Sequence, residues 1–319
     1  MDILITGSVA YDYLMTFPGD FKEHILPDHL DSISLSFLVE TLVRRKGGVA
    51  PNIAYNLALL GNNPKIFAAV GKDFEEYRRW LEEAGVDTSL VKVIEDKYTA
   101  SFFATTDKEN HQIASFYPGA MADASSLSLL DLEEKPDLIV ISPNAPDAME
   151  KYIEECKSLR IPYLYDPSQQ LVRMDGEGIC RGVDGAKSLF INEYEFSLIM
   201  DKTSLSAEDL IGMVHLVVIT KGHDGSTIFV DGEKYEIGTV LPIRTADPTG
   251  SGDAYRGGFL TGLSKGWDWI TCGQMGALTA TYCLENDGPQ GQSYTKEEFV
   301  IRYRENFDDQ GLLDHLLKN

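Results

Sequence analysis

Positive charge is scarce in this chain. Its 319 residues include 28 lysines and arginines against 50 aspartates and glutamates, which gives a formal net charge of −22. Nucleic acids and anionic membranes are bound through basic surface, because both present dense negative charge. The composition therefore predicts that neither is a partner, and any site for a phosphate must be built locally by a few residues.

Cysteine and histidine are also sparse. The four cysteines show no CxxC or other metal-ligand spacing, which fits a reducing cytosol, and the six histidines show no such spacing either. No run of apolar residues approaches the length of a membrane span. The first residues, MDILITGSVAYDYL, are typical of a strand and not of a signal peptide. We therefore expect a cytoplasmic protein.

Three widespread catalytic motifs are missing. The chain has no GxxxxGK followed by serine or threonine, which excludes a P-loop enzyme. No GxGxxG follows the first strand, which argues against a dinucleotide-binding dehydrogenase. Ser251 lacks the GxSxG elbow of serine hydrolases. A nucleotide site, if present, must use a different turn.

Such a turn is present at residues 245–263, which read TADPTGSGDAYRGGFLTGL. Gly250, Ser251 and Gly252 precede a helical pattern, and a small-residue turn that opens a helix leaves backbone N–H groups free to bind an anion. Asp253 on the first helical turn has two interpretations. It is either an acid favoured by the helix dipole, or a base that takes a proton from a hydroxyl while the N–H groups stabilise a phosphoryl group.

The order of predicted elements indicates an α/β fold. Strand-like runs at 137–142, 162–166, 188–192 and 216–220 alternate with helical stretches, which predicts a mostly parallel sheet with helices on both faces. Further strands are predicted at 3–6 and 65–70. Helices are predicted at 52–60, 73–84, 268–284 and 296–306.

Residues 98–117 have a different pattern, with two runs rich in threonine, phenylalanine and isoleucine around the polar loop 107–111. A five-residue loop would place Phe102 opposite Phe116 on one face of a hairpin. These rings could equally be ordinary core residues, which is the commoner role of hairpin aromatics.

Polar residues follow several of the predicted strands. Ser8 and Asp12 come after the first strand, and Asp166, Asn192 and residues 220–222 come after three others. Ligands of open α/β sheets bind beyond the carboxyl ends of the strands. Each residue alone is a routine loop residue, but together they favour a site at this edge.

Two stretches together resemble the ribokinase-like, or PfkB, carbohydrate kinase family. They are GGVAPNIA at 47–54, with Gly61 and Gly71 at the family's spacing, and DPTGSGD at 247–253 followed by GGFL. The similarity is closest to bacterial adenosine kinases of this fold, through GSVAYDYLMTFPG, SLSFLVETL, GGVAPNIA, QIASFYPGAM and DPSQQLVRM. Ser251 departs from the alanine of many relatives but still supplies a backbone N–H.

The resemblance implies one ribokinase-like α/β domain over 1–319, with small β-sheet lid segments at about 14–46 and 98–117. It also implies a role for each matching residue. Asp253 would be the base for the 5′-hydroxyl of adenosine, with Gly250, Ser251 and Gly252 as the anion hole. The nucleoside would contact Ser8, Asp12, Ser36, Gly48, Asn52, Phe102, Phe116, Gln169, Gln170 and Arg173. ATP would contact Asn192, Glu195, Thr220, Gly222, Gly225 and Asn286, with Glu195 holding Mg²⁺ through water.

The implied reaction is transfer of a phosphoryl group from Mg·ATP to adenosine, giving AMP and ADP. A monovalent cation such as K⁺ is common among relatives, with Asp247 and residues 285–290 as the candidate region. Pairing of lid edges between subunits would give a homodimer. The alternatives are a ribose or fructose kinase of the same fold, a guanosine- or inosine-preferring kinase, and a nucleoside-binding regulator without catalysis.

Overall fold

The computed structural model describes residues 1–24 and 35–318. The strands are β1 Ile3–Thr6, β2 Ala10–Thr16, β3 Thr41–Gly47, β4 Lys65–Phe67, β5 Ala69–Gly71, β6 Lys92–Ile94, β7 Ala100–Thr106, β8 Gln112–Tyr117, β9 Leu138–Ile141, β10 Tyr163–Tyr165, β11 Ser188–Asn192, β12 Leu216–Thr220, β13 Ser226–Val230 and β14 Glu233–Ile237. The helices are α1 Phe21–His24, α2 Val49–Leu59, α3 Glu75–Glu83, α4 Pro146–Leu159, α5 Gly176–Val183, α6 Glu193–Thr203, α7 Ala207–Gly212, α8 Ser251–Ser264, α9 Trp269–Leu284, α10 Lys296–Asn306 and α11 Asp314–Leu317.

An eight-stranded main sheet runs in the order β14-β13-β12-β11-β10-β9-β1-β4. All neighbours from β12 to β4 pair in parallel, as the βαβ alternation predicts. The edge hairpin of β13 and β14 pairs antiparallel and makes the sheet mixed. The sequence analysis missed this hairpin, because β13 follows β12 without an intervening α-helix and β14 is largely polar.

Helices cover both faces of the main sheet, as predicted. Successive residues of each buried strand point to opposite faces. Val218 of β12 therefore joins the hydrophobic cluster that contains Ile53 of α2 and Phe259 of α8, whereas Val217 joins the cluster of α4, α5 and α6. None of the helices that the structure describes is long and apolar enough to traverse a bilayer.

A separate small sheet has the order β3-β2-β7-β8. Its β7–β8 hairpin has the predicted loop at 107–111, and Phe102 pairs with Phe116, which confirms the predicted register. The expectation that Asp12 lies in a loop was wrong, because β2 extends over this residue and is paired with β3 and β7 on its two sides. These partners are distant in sequence and were not visible in the local pattern.

One other boundary differs from the prediction. The strand expected at 65–70 is two strands, since Lys65–Phe67 joins β1 in the main sheet and Ala69–Gly71 pairs with β6. Part of the predicted lid segment, residues 25–34, lies outside the described residues. The four cysteines are all unpaired, in agreement with their spacing.

Candidate active site

A cavity of about 570 Å³ lies between the small sheet and the ends of β1, β11 and β12. Many of the residues that the sequence predicted for the site line it. They are Ser8, Asp12, Gly48, Asn52, Phe102, Phe116, Gln169, Asn192, Glu195, Thr220, Gly250, Gly252 and Asp253. We call this space the first cavity. Its position beyond the carboxyl ends of parallel strands is the usual one for a ligand site in an α/β sheet.

The turn before α8 is built as the glycines predict. Gly250 is the N-cap of α8 with φ of 80°, and a Cβ at this position would lie 2.3 Å from the Cβ of Pro289. Only glycine fits both the backbone and this close approach. The N–H groups of Gly252 and Asp253 have no acceptor among the described residues, whereas that of Ser251 donates to the Pro248 carbonyl at 3.3 Å. The end of α8 can therefore accept an anion.

Asp253 lies on the first turn of α8 at the wall of the first cavity. Its Oδ2 accepts a hydrogen bond of 2.8 Å from Nδ2 of Asn52. Burial raises the pKa of Asp253 to about 6, against the opposing effects of the nearby Arg256 charge and the Asn52 hydrogen bond. A carboxyl group with a pKa just below neutrality is ionised at pH 7 and can still take up a proton.

A buried hydrogen-bond chain holds Asn52 in place. Its Oδ1 accepts from Nε2 of Gln290 at 2.9 Å, and Oε1 of Gln290 accepts from the Trp80 indole at 3.2 Å. Gln290 also donates to the hydroxyl of Tyr77. The sequence analysis did not find these supporting residues, because Gln290 and Asn52 are 238 positions apart.

Asp12 and the two phenylalanines form one row across the small sheet. Asp12 on β2 is in register with Phe102 on β7, which is in register with Phe116 on β8. A Cβ at residue 47 would lie 2.8 Å from Oδ2 of Asp12, so Gly47 provides space for this carboxylate. Burial raises the pKa of Asp12 to about 6, while the Arg45 charge opposes the rise. The row places a carboxylate beside two rings on one wall.

Asn192 and Glu195 form a reciprocal capping box at the start of α6. Oδ1 of Asn192 accepts from the Glu195 N–H, and Oε2 of Glu195 accepts from the Asn192 N–H, both at 2.8 Å. A capping box by itself is an ordinary feature of a helix N-terminus. Here Glu195 is buried, and both residues line the first cavity. Their oxygens suit a hard divalent cation such as Mg²⁺.

A second cavity of about 410 Å³ adjoins the first and shares Thr220 and Gly252 with it. Its walls include the apolar residues Val240, Leu241, Pro242, Tyr255, Ala277, Ala280 and Leu284, and the predicted residues Gly222, Gly225 and Ser251. Gly225 has φ of 86°, and a Cβ there would lie 2.0 Å from the Ile237 carbonyl. The second cavity is an apolar slot that opens beside the anion-binding turn.

Four predicted site residues line neither cavity. Ser36 and Arg173 are exposed, Gln170 is buried with its Oε1 unpartnered, and Asn286 donates to the Tyr282 carbonyl at 2.9 Å. Their roles stay predictions.

Two of the three carboxylates of the predicted K⁺ region are closely paired with arginine, and the third, Asp287, is 74% exposed and lies 4.0 Å from Arg45. Asp247 is paired with Arg45 at 2.5 Å, and Glu285 with Arg302 at 2.6 Å. Within the described chain, these two side chains therefore offer a cation no unpaired carboxylate.

Among the described residues that line the two cavities, Arg256 is the one charged residue that was not predicted. Arg256 follows Asp253 by one helical turn, is buried, and forms an ion pair of 2.5 Å with the buried Asp166. Asp166 was noted only as a polar residue at a strand end. The arginine lies in the middle of a helical pattern and carries no local signal of a site.

Comparison with known proteins identifies the family. The model of the pfkB family of carbohydrate kinases matches residues 8–296. A nucleoside kinase of Methanothermobacter thermautotrophicus is 30% identical over 311 residues, which cover 95% of this chain and 95% of that protein. A nucleoside kinase of Burkholderia thailandensis, solved in complex with inosine, has a TM-score of 0.85 at 36% identity and covers 96% of this chain and 98% of its own.

An adenosine kinase from Sinorhizobium meliloti is more distant. It has a TM-score of 0.68 at 20% identity over 91% of this chain and 95% of its own, which supports the shared fold alone. The family match covers most of the residues and includes both cavities. The chain belongs to the pfkB family of carbohydrate kinases, and it is an ATP-dependent phosphotransferase.

Proposed function

We propose that this kinase phosphorylates the 5′-hydroxyl of a purine nucleoside, adenosine or inosine, with ATP as donor and Mg²⁺ as the metal. The observation that carries the proposal is the meeting of two features in the first cavity. Asp253 at the start of α8 faces the same space as the row of Asp12, Phe102 and Phe116. A base and an anion-binding turn suit phosphoryl transfer, and a carboxylate beside two rings suits a ribose joined to a base.

Each group of residues in the two cavities would then have a separate role in the reaction. The carboxylate of Asp12 accepts hydrogen bonds from the 2′- and 3′-hydroxyls, and the rings of Phe102 and Phe116 cover the purine from the small sheet, which serves as the lid. Asp253 takes the proton of the 5′-hydroxyl as its oxygen attacks the γ-phosphorus. ATP extends from the α8 turn into the apolar second cavity. Mg²⁺, held near Asn192 and Glu195, would neutralise phosphate charge.

The first cavity offers fewer polar side chains to the purine than to the ribose. Gln169 is the one predicted base-contacting amide that lines the first cavity. An amide can donate to the O6 side of inosine or accept from the 6-amino group of adenosine, because its two ends differ in polarity. The related Burkholderia kinase was solved with inosine and with ADP-inosine, which favours tolerance over strict adenosine preference.

A substrate panel tests the proposal directly. ADP release with Mg·ATP would be measured for adenosine, inosine, guanosine, cytidine, ribose and fructose. We expect the highest kcat/KM for adenosine and inosine. The free sugars should show little turnover, because they have no base to contact the rings of Phe102 and Phe116. Preferred turnover of ribose or fructose would overturn the substrate assignment and support the sugar kinase alternative.

The variant Phe102→Ala should raise the KM for adenosine about tenfold, because a ring contact and its buried area are lost. The KM for ATP should stay near the wild-type value. Phe103→Ala is the matched control, since the ring of Phe103 stacks on Tyr13 with centroids 4.8 Å apart and does not line the first cavity. Equal effects of the two variants on the adenosine KM would contradict a role of Phe102 in base binding.

A further inference from the structure

We propose that Arg256 is a catalytic residue that donates hydrogen bonds to the transferring phosphoryl group, and that Asp166 is the positioning residue that holds its guanidinium. The inference rests on the proposed function and deepens it. It assigns a full positive charge to a site where the predicted anion hole supplies only backbone N–H groups.

The position of Arg256 fits this role. It lies three residues after Asp253 on α8, a spacing that puts two side chains on one face of a helix. Its Nη1 would be 3.0 Å from a Cβ placed on Gly252, so the guanidinium packs against the anion-binding turn. Among the described residues, Arg256 is the only lysine or arginine that lines either cavity.

The ion pair with Asp166 is incompletely satisfied. Nη2 of Arg256 contacts Oδ1 of Asp166 at 2.5 Å, and the two side chains are 8% and 0% exposed. Within the described chain, Nε of Arg256 and Oδ2 of Asp166 have no hydrogen-bond partner. A buried ion pair stabilises a fold only when its remaining donors and acceptors are also satisfied. An incomplete pair at the wall of a cavity is therefore better suited to receiving a ligand than to stabilising the fold.

The surrounding charges also require a cation. Asp166, Asp253 and Glu195 all interact electrostatically with Arg256. The carboxylates that line the first cavity, those of Asp12, Asp253 and Glu195, would repel a triphosphate from it, and the net charge of the whole chain is −22. Arg256 offsets part of this repulsion where the phosphate must bind. Asp166 in turn fixes the guanidinium, because one of its oxygens holds Nη2 while the other edge of the guanidinium stays beside the turn.

The chemistry of the step explains why the charge is useful. The 5′-oxygen bonds to the γ-phosphorus, the bond from that phosphorus to the β–γ bridging oxygen breaks, and ADP leaves with the bond's electron pair. The hydroxyl proton goes to Asp253. Negative charge is spread over the three non-bridging oxygens during transfer, and a planar guanidinium can donate two charge-assisted hydrogen bonds to them.

The test compares Arg256→Gln with the double variant Arg256→Gln, Asp166→Asn. The single variant leaves a buried carboxylate unpaired, so it should lose thermal stability as well as activity. The double variant replaces the ion pair by two amides and should regain much of the stability. We expect kcat to remain about 10²–10³-fold below wild type in both, with each KM within about threefold. Arg304→Gln breaks the ion pairs of Arg304 with Asp309 and Asp314, none of which lines either cavity, and should keep the wild-type kcat.

A second measurement tests the binding of a transition-state analogue and does not depend on turnover. Inhibition by Mg·ADP with aluminium fluoride, measured in the presence of the acceptor, should weaken at least about tenfold in the double variant. A double variant with wild-type kcat and wild-type fluoride inhibition would overturn the proposal and leave the pair a structural role. The acceptor is the best substrate of the panel. A preference for free sugar would therefore overturn the nucleoside assignment alone, and the Arg256 comparison would proceed with that sugar.

Discussion

Replacing Asp253 by asparagine should lower kcat about 10²–10⁴-fold, the range by which a general base accelerates a reaction. The amide has nearly the same shape as the carboxylate, and its oxygen can still accept the hydrogen bond from Asn52. The variant should therefore fold normally and bind adenosine and ATP with affinities near those of the wild type. The measurements are steady-state kinetics, thermal unfolding and calorimetric titration with each substrate.

The control for this substitution is Asp231→Asn. Asp231 lies in the turn between β13 and β14, its side chain is 72% exposed, and it lines neither cavity. It should keep the wild-type kcat. The alternative interpretation of Asp253, an acid favoured only by the helix dipole, predicts a loss of stability without a loss of kcat. Wild-type turnover by Asp253→Asn would establish that alternative.

The dependence on pH gives a further expectation for the same site. Burial raises the pKa values of Asp253 and Asp12 to about 6, and both must be ionised to act. The active form is therefore present above pH 6 and is lost as the pH falls through this value. Since two groups titrate together, kcat/KM should fall up to about 100-fold per pH unit in the wild type and about tenfold in Asp12→Asn. A profile that is flat down to pH 5 would contradict both roles.

The second large effect is expected for Asp12→Asn. A hydrogen bond to a charged group contributes about 1.5–3 kcal/mol, so the KM for adenosine should rise about 10–100-fold while kcat changes little. The fold should tolerate the change. Burial raises the pKa of Asp12 to about 6, so the carboxylate is mostly ionised at pH 7, but its ionisation costs the folded state stability relative to the unfolded chain. The uncharged amide removes that cost.

Deoxynucleosides identify what Asp12 contacts. The wild type should discriminate against 2′-deoxyadenosine and 3′-deoxyadenosine, and Asp12→Asn should lose most of this discrimination. Phe102→Ala is the matched control, because it weakens binding through the base and should keep the preference for the ribose. Unchanged discrimination in Asp12→Asn would mean that another group of the protein binds the 2′- and 3′-hydroxyls.

The sequence predicted much of the fold because the relevant patterns are local. Four buried strands alternating with helices, and a glycine turn opening a helix, depend on residues within about a dozen positions of one another. The hairpin register of Phe102 and Phe116 was also predictable, since loop length alone determines it. Strand β2 was not recognised, because its partners β3 and β7 are distant in sequence. The hairpin of β13 and β14 is local, and the Asp231-Gly232 turn between its strands was a signal that the sequence analysis overlooked.

The motifs of the sequence by themselves determined the family and the presence of the anion-binding turn, since GSGD and GGVAPNIA are contiguous. Only the tertiary structure decided which side chains share the first cavity. It joined Asn52 to Asp253 across 201 positions, and Arg256 to Asp166 across 90. The physical reason is that backbone geometry is encoded locally, whereas the charge balance of a buried site depends on groups that only folding brings together.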